Sequence, residues 1–159
     1  MTDFSGNVSF FTENFHSLVQ PGNSVVQEVA SELNSLSYAR IDSFLSALIG
    51  RVRTIFDFDT DMSLYGLDDY WASPDEMVQA GAGDCDDFAL FASSVLHAMG
   101  LPHDVVMGYY QGAGGHAWVE VHGEGSTYIL EFTEPQLHII PESDYSFIPY
   151  MPVARVIVE

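Results

Sequence analysis

Cysteine is nearly missing from this chain: Cys85 is the only one in 159 residues, so no internal disulfide can form and a reducing compartment is the natural setting. Lysine is missing altogether. Four arginines face 23 acidic residues, for a formal net charge of −19. Such a surface repels nucleic acid phosphates, so no nucleic acid partner is expected. High solubility, cation binding, a basic partner and a salt-adapted host are each compatible with it. Long apolar runs are also lacking, and the start, Met1-Thr2-Asp3-Phe4-Ser5-Gly6, has neither the basic opening nor the apolar stretch of a secretory signal. The chain as it stands is expected to be cytoplasmic, off the membrane and monomeric, with export left open because a removed leader would leave the same trace.

What is present suits one globular unit, 47% hydrophobic and 13% aromatic. Residues 1–159 are expected to form a single domain: an arm over 1–23, a helical part over 24–100 and a β part over 101–159. The arm mixes phenylalanines with Ser, Asn, Gly and Thr and closes at Pro21-Gly22. Val25, Val26, Val29, Ala30 and Leu33 then recur at helical spacing behind Ser24. Ile41, Phe44, Leu45, Leu48, Ile49, Val52, Ile55 and Phe56 make a second, core-facing stripe. Ser73, followed by Pro74 and the acids Asp75 and Glu76, marks the start of a short helix.

Asp57, Asp59 and Asp61 alternate, and Asp68 falls at the twelfth position of a calcium loop. Met62 stands where such a loop needs glycine for its turn, so a solvated acidic loop is the expectation. After Gly81-Ala82-Gly83, residues from Cys85 to Met99 are apolar on most faces, which describes a buried central helix ended by Gly100-Leu101-Pro102. The pattern then changes to strands near 104–110, 116–121, 127–133 and 153–158. Helices first and strands after argue for an α+β domain, with an antiparallel sheet packed on the central helix.

Cys85 falls in the first turn of that helix, where unpaired amide N–H groups favour a thiolate. A lone cysteine is more often a small buried hydrophobe, so its meaning depends on a partner. His116 opens a strand directly after the glycine-rich loop Gln111-Gly112-Ala113-Gly114-Gly115, open on one side to a substrate. His16, His97, His103, His122 and His138 lie in the arm, on a helix or at turns, and read as surface or locally bonded rings. If the hairpin turn is His122 to Gly125, Val121 faces Ser126 and His116 falls opposite Glu131 on one sheet face. Glu131 is then the acceptor that orients the imidazole, with Glu134 and Glu120 as successive alternatives.

Gly83-Asp84-Cys85-Asp86-Asp87-Phe88-Ala89, Gly115-His116-Ala117-Trp118-Val119-Glu120 and Leu130-Glu131-Phe132-Thr133 resemble the three blocks of the transglutaminase-like superfamily. With Tyr65-Gly66 and Asp69-Tyr70-Trp71-Ala72-Ser73-Pro74, the likeness is strongest to the bacterial transglutaminase-like cysteine proteases, over residues 65–133. It implies a papain-like fold and a catalytic triad of Cys85, His116 and Glu131, where the family normally has Asp in the last place. In calcium-dependent members the acids beside the cysteine hold the ion, which points to Asp84, Asp86 and Asp87. The oxyanion donors implied are the Cys85 amide and Trp71 Nε1, with Gln79 behind it. A thiol protease or amidase acting on a protein or peptide is the leading expectation, with no cofactor needed for the chemistry itself. The alternatives are a non-catalytic module binding a protein or calcium, and a transglutaminase or deamidase acting on glutamine.

Overall fold

In the computed structural model, the described residues are 4–35, 40–67, 70–110, 115–123, 125–132, 139–141 and 150–158. Three helices come first, α1 (Phe4–Leu18), α2 (Ser24–Asn34) and α3 (Ile41–Ile55). A short strand β1 (Asp57–Phe58), helices α4 (Asp61–Tyr65) and α5 (Pro74–Ala80), and strand β2 (Ala82–Gly83) lead into α6 (Cys85–Ala98). Five strands follow: β3 (His103–Tyr110), β4 (Gly115–Gly123), β5 (Ser126–Leu130), β6 (Ile139–Pro141) and β7 (Tyr150–Val158). They form one antiparallel sheet in the order β6-β5-β4-β3-β7. No helix among the described residues is long and apolar enough to cross a membrane.

The apolar composition of α6 has its reason in its position. Every residue from Asp86 to Leu96 is buried, because α2, α3 and α5 pack around the helix while one sheet face covers the rest. That face presents Val105, Met107, Ala117, Val119, Val121, Leu130, Val156 and Val158 to the helices. The other face gathers Val106, Trp118, Ile129 and Ile140 into a second apolar cluster, with Tyr150 packed on it.

The arm expected over residues 1–23 is instead helical from Phe4 to Leu18. Phe11 and Phe15, one turn apart and each 1% exposed, close on Trp71 with ring centroids at 5.5 and 6.2 Å. Burying two phenylalanines stabilises by roughly 3–6 kcal/mol, which outweighs the weak helix propensity of the neighbouring Ser, Asn, Gly and Thr.

A second correction concerns the β4–β5 hairpin. Gly123 pairs with Ser126 across a two-residue turn, with Gly125 at φ 74°, so Val121 pairs with Tyr128 and not with Ser126. The register therefore differs from the expected one by two residues. A two-residue shift keeps every side chain on its face, so His116 and Glu131 still point the same way.

Candidate active site

The first turn of α6 is built by its acids. Asp84 is the N-cap and accepts a hydrogen bond from the Asp86 amide (3.2 Å), while Asp87 reaches back to accept from the Asp84 amide (3.0 Å). The other Asp87 oxygen accepts from the Ala72 amide at 2.8 Å, tying the Trp71 segment to the helix start. Gly83 is required beside this turn, since a Cβ there would lie 2.7 Å from the Asp87 Cβ.

Cys85 is half-buried at the first position of the helix. Its thiol donates to Asp86 Oδ1 at 3.6 Å. Burial, then the charges of Asp86 and Asp84, push the thiol well above its usual range, with Glu131 adding to them, while a hydrogen bond from the Ala117 backbone pulls it back. The thiolate bias of a helix N-terminus is thus overridden here by desolvation and by like charge.

Ala117 follows His116 on β4, so the same contact brings the cysteine turn to the histidine strand. His116 Nε2 bonds Glu131 Oε2 at 2.8 Å, and both residues are buried. Tyr150 Oη donates to the same Glu131 oxygen at 2.5 Å. Trp118 stacks beside the imidazole, and the Tyr150 ring lies against both, 4.9 Å from Trp118 and 6.2 Å from His116. Glu120, the third alternative for the orienting acid, is occupied elsewhere: it accepts from Trp118 Nε1 at 3.0 Å and from Arg155 at 3.0 Å.

Behind the helix start lies a second grouping. Asp61, Asp84 and Asp87 have carboxylate oxygens within 4.8 Å of one another, as have Asp84, Asp86 and the Cys85 sulfur. Burial, with the charges of Asp87 and Asp61, pushes Asp84 far above the usual carboxylate range. Burial also raises Asp87, opposed by the amides of Asp84 and Ala72 and reinforced by Asp61 and Asp86. Asp61 is only 2% exposed and accepts from the Tyr70 amide at 2.7 Å, so it does not belong to a solvated loop. The alternating aspartates are the signal that pointed to it, though as part of a different calcium geometry.

Trp71 Nε1 donates to Asn7 Oδ1 at 2.5 Å within the α1 contact, and Gln79 is exposed on α5. Asn7 and Tyr150 had no distinguishing pattern in sequence. Asp68, Glu134 and His138 lie outside the described residues, as does the loop 111–114. His103 is locally bonded, as expected, but fully buried: its Nε2 meets Ser93 Oγ at 2.6 Å and its Nδ1 faces the Leu101 carbonyl at 2.9 Å. Burial holds its pKa down at about 4.

A cysteine on the first turn of a central helix, packed against strands that carry a bonded His-acid pair, defines a papain-like, transglutaminase-like fold. Comparison with solved structures agrees. A Legionella pneumophila LapG structure (EGTA-treated) matches with TM-score 0.58 and 23% identity, over 89% of this chain and 78% of that one. The calcium-bound Legionella pneumophila LapG matches with TM-score 0.50 and 21% identity, over 82% and 83% of the two chains. A TGase crystal structure matches with TM-score 0.58 and 14% identity over 80% of this chain, which spans only 38% of that protein. No curated protein matches. The family description "bacterial transglutaminase-like cysteine proteinase BTLCP" matches residues 23–153, and the chain belongs to that family.

Proposed function

We propose that the chain hydrolyses an amide bond of a protein or peptide through Cys85, His116 and Glu131. The observation that supports this most directly is the His116–Glu131 bond at 2.8 Å, on the strand whose next residue, Ala117, bonds the cysteine. With Nε2 committed to Glu131, Nδ1 is the nitrogen that exchanges a proton with the thiol. The proton moves from Cys85 to His116, and the sulfur attacks the carbonyl carbon. The tetrahedral oxyanion forms within reach of the Cys85 amide at the helix start. Either Trp71 or Gln79 serves as second donor, and for Trp71 this requires its bond to Asn7 to open. The C–N bond then breaks as imidazolium protonates the leaving amine. Water, losing its proton to His116, attacks the thioester, and the acid product leaves as the sulfur recovers its proton.

Glu131 keeps the charge of the Asp usual in this place but extends it by one methylene. The 2.8 Å bond to His116 supports its role as the orienting acid all the same.

The same reading assigns a calcium site to the acids. Three hard oxygen donors crowded within 4.8 Å, two of them pushed up by burial and by each other, fit a divalent cation. Asp61, Asp84 and Asp87 would hold it, with Asp86 adjoining on the thiol side. Bound there, the ion supplies the positive charge that offsets these carboxylates beside the thiol.

Incubating the protein with calcium and a denatured protein substrate, then mapping the products by mass spectrometry, tests the proposal. New peptide termini that vanish in Cys85→Ala and His116→Ala support proteolysis. Ammonia release without chain cleavage would instead establish glutamine chemistry, and loss of neither product in Cys85→Ala would remove the thiol mechanism.

A further inference from the structure

The Tyr150 hydroxyl is a feature the triad alone does not use. It stands at the first position of β7, an edge strand of the sheet, and reaches across to the acid that follows β5. We propose that Tyr150 is a positioning residue that holds Glu131 in the geometry His116 needs, and that this support lets a glutamate do the work of the shorter aspartate. The inference rests on the reading of Cys85 and His116 as the reacting pair.

A glutamate has one more rotatable bond than an aspartate, so its carboxylate wanders further unless something restrains it. Glu131 Oε2 receives two hydrogen bonds, from His116 at 2.8 Å and from Tyr150 Oη at 2.5 Å. Hydrogen bonds to an ionised acceptor are the stronger kind, and two donors converging on one oxygen fix its position far better than one. The tyrosine is itself held. Its ring packs edge-on against Trp118 at 4.9 Å, and Trp118 is anchored through Nε1 to Glu120, which Arg155 also binds. Glu131 is 3% exposed, so water offers little competition for that oxygen. β7 is held at the right distance by a close backbone approach: a Cβ on Gly108 would lie 2.0 Å from the Met151 carbonyl oxygen. Only glycine at that position lets the strand carrying Tyr150 sit so near.

The test reads Cys85 itself, by the rate of iodoacetamide alkylation near pH 7 in calcium, in the wild type, Tyr150→Phe, Glu131→Gln, the double variant and His116→Ala. Tyr150→Phe keeps the ring packing on Trp118 and His116, and an unchanged melting temperature confirms that the fold is retained. Loss of the hydroxyl is expected to slow alkylation roughly tenfold in the wild-type background, and by less than about twofold once Glu131 is already Gln. Equal slowing in both backgrounds would show that the hydroxyl acts on packing and not through Glu131, and would overturn the inference, as would an unchanged rate in Tyr150→Phe. If His116→Ala alkylates as fast as the wild type, the Cys–His pairing itself fails, and that result is distinct from a failure confined to Tyr150.

Discussion

Among the described residues, two groups of largely buried acids are met by different partners. On the sheet, Asp104 and Glu120 are both bound by Arg155, at 2.7 and 3.0 Å, and Glu120 also takes the Trp118 N–H. At the start of α6, Asp84 and Asp87 are met by backbone amides and by one another, with Asp61 beside them. Arg40 pairs with Asp42, Arg51 with Glu32, and Arg155 with both Asp104 and Glu120. The sheet group carries Arg155 as its counter-charge, while the carboxylates of the helix group crowd one another and accept from backbone amides. The proposed calcium ion would supply at the helix start the positive charge that Arg155 supplies on the sheet.

The largest effect that would sharpen this contrast is calcium-dependent stability. At a hundredfold excess over its dissociation constant, bound calcium is expected to stabilise the fold by about 3 kcal/mol. Asp84→Asn, which keeps a good N-cap, should abolish that gain and leave the protein more stable than the wild type in chelator. Calorimetry with and without calcium checks both signs. A wild type whose unfolding ignores calcium would break the comparison.

Next in size is Arg155→Met, which strands Asp104 and Glu120. Allowing for the arginine's partial exposure, the loss should be about 2 kcal/mol, the same in calcium and in chelator. A calcium-dependent loss in urea titrations would show that the two groups are not independent.

pH separates them a third way. The folded-state pKa values of Asp84 and Asp87 are raised above the unfolded ones, so their protonation contributes stability that is complete below the ordinary carboxylate range and is lost as pH rises through the folded values of about 10 and about 8. In chelator, urea midpoints should fall steadily as pH rises from the ordinary carboxylate range through about 8 for Asp87 and on to about 10 for Asp84, and Asp84→Asn should remove the larger part of that fall. His103 acts in the other direction: its folded pKa of about 4 lies below the usual value of 6.5, so its contribution is present above the latter and lost as pH falls between them. The smallest expected effect is Ser93→Ala, which removes the partner of His103 Nε2 and should cost about 1 kcal/mol whatever the calcium level. It belongs to neither acid group and serves as the reference.

Much of the fold was legible in the sequence because its signals are local. The Ser73-Pro74 helix start, the Ile41–Ile55 stripe and the all-round apolar face of α6 each follow from spacing alone. The α1 helix was hidden, since Phe11 and Phe15 gain their meaning only from Trp71, far along the chain. The pairing of His116 with Glu131 was readable from strand parity, which survived a hairpin turn two residues shorter than expected. Trp71 was expected at the oxyanion, but its N–H is given to Asn7, a pairing over 64 positions that no pattern marks. Tyr150 was missed for the same reason, since it acts through a partner brought close by folding, and Asp61, read only within an alternating acidic run, likewise joins Asp84 and Asp87 by folding and not by spacing.

The central claim is that charge at the α6 first turn, Asp86 foremost, adds to burial in holding Cys85 protonated, and that a cation bound there offsets it. Its most direct measurement is the rate of Cys85 alkylation by iodoacetamide near pH 7, in calcium and then in excess chelator. A thiol relieved of its neighbouring charge should react at least about tenfold faster in calcium, and the difference should vanish in Asp84→Asn. Equal rates with and without calcium in the wild type would contradict the claim and leave these aspartates as helix caps alone.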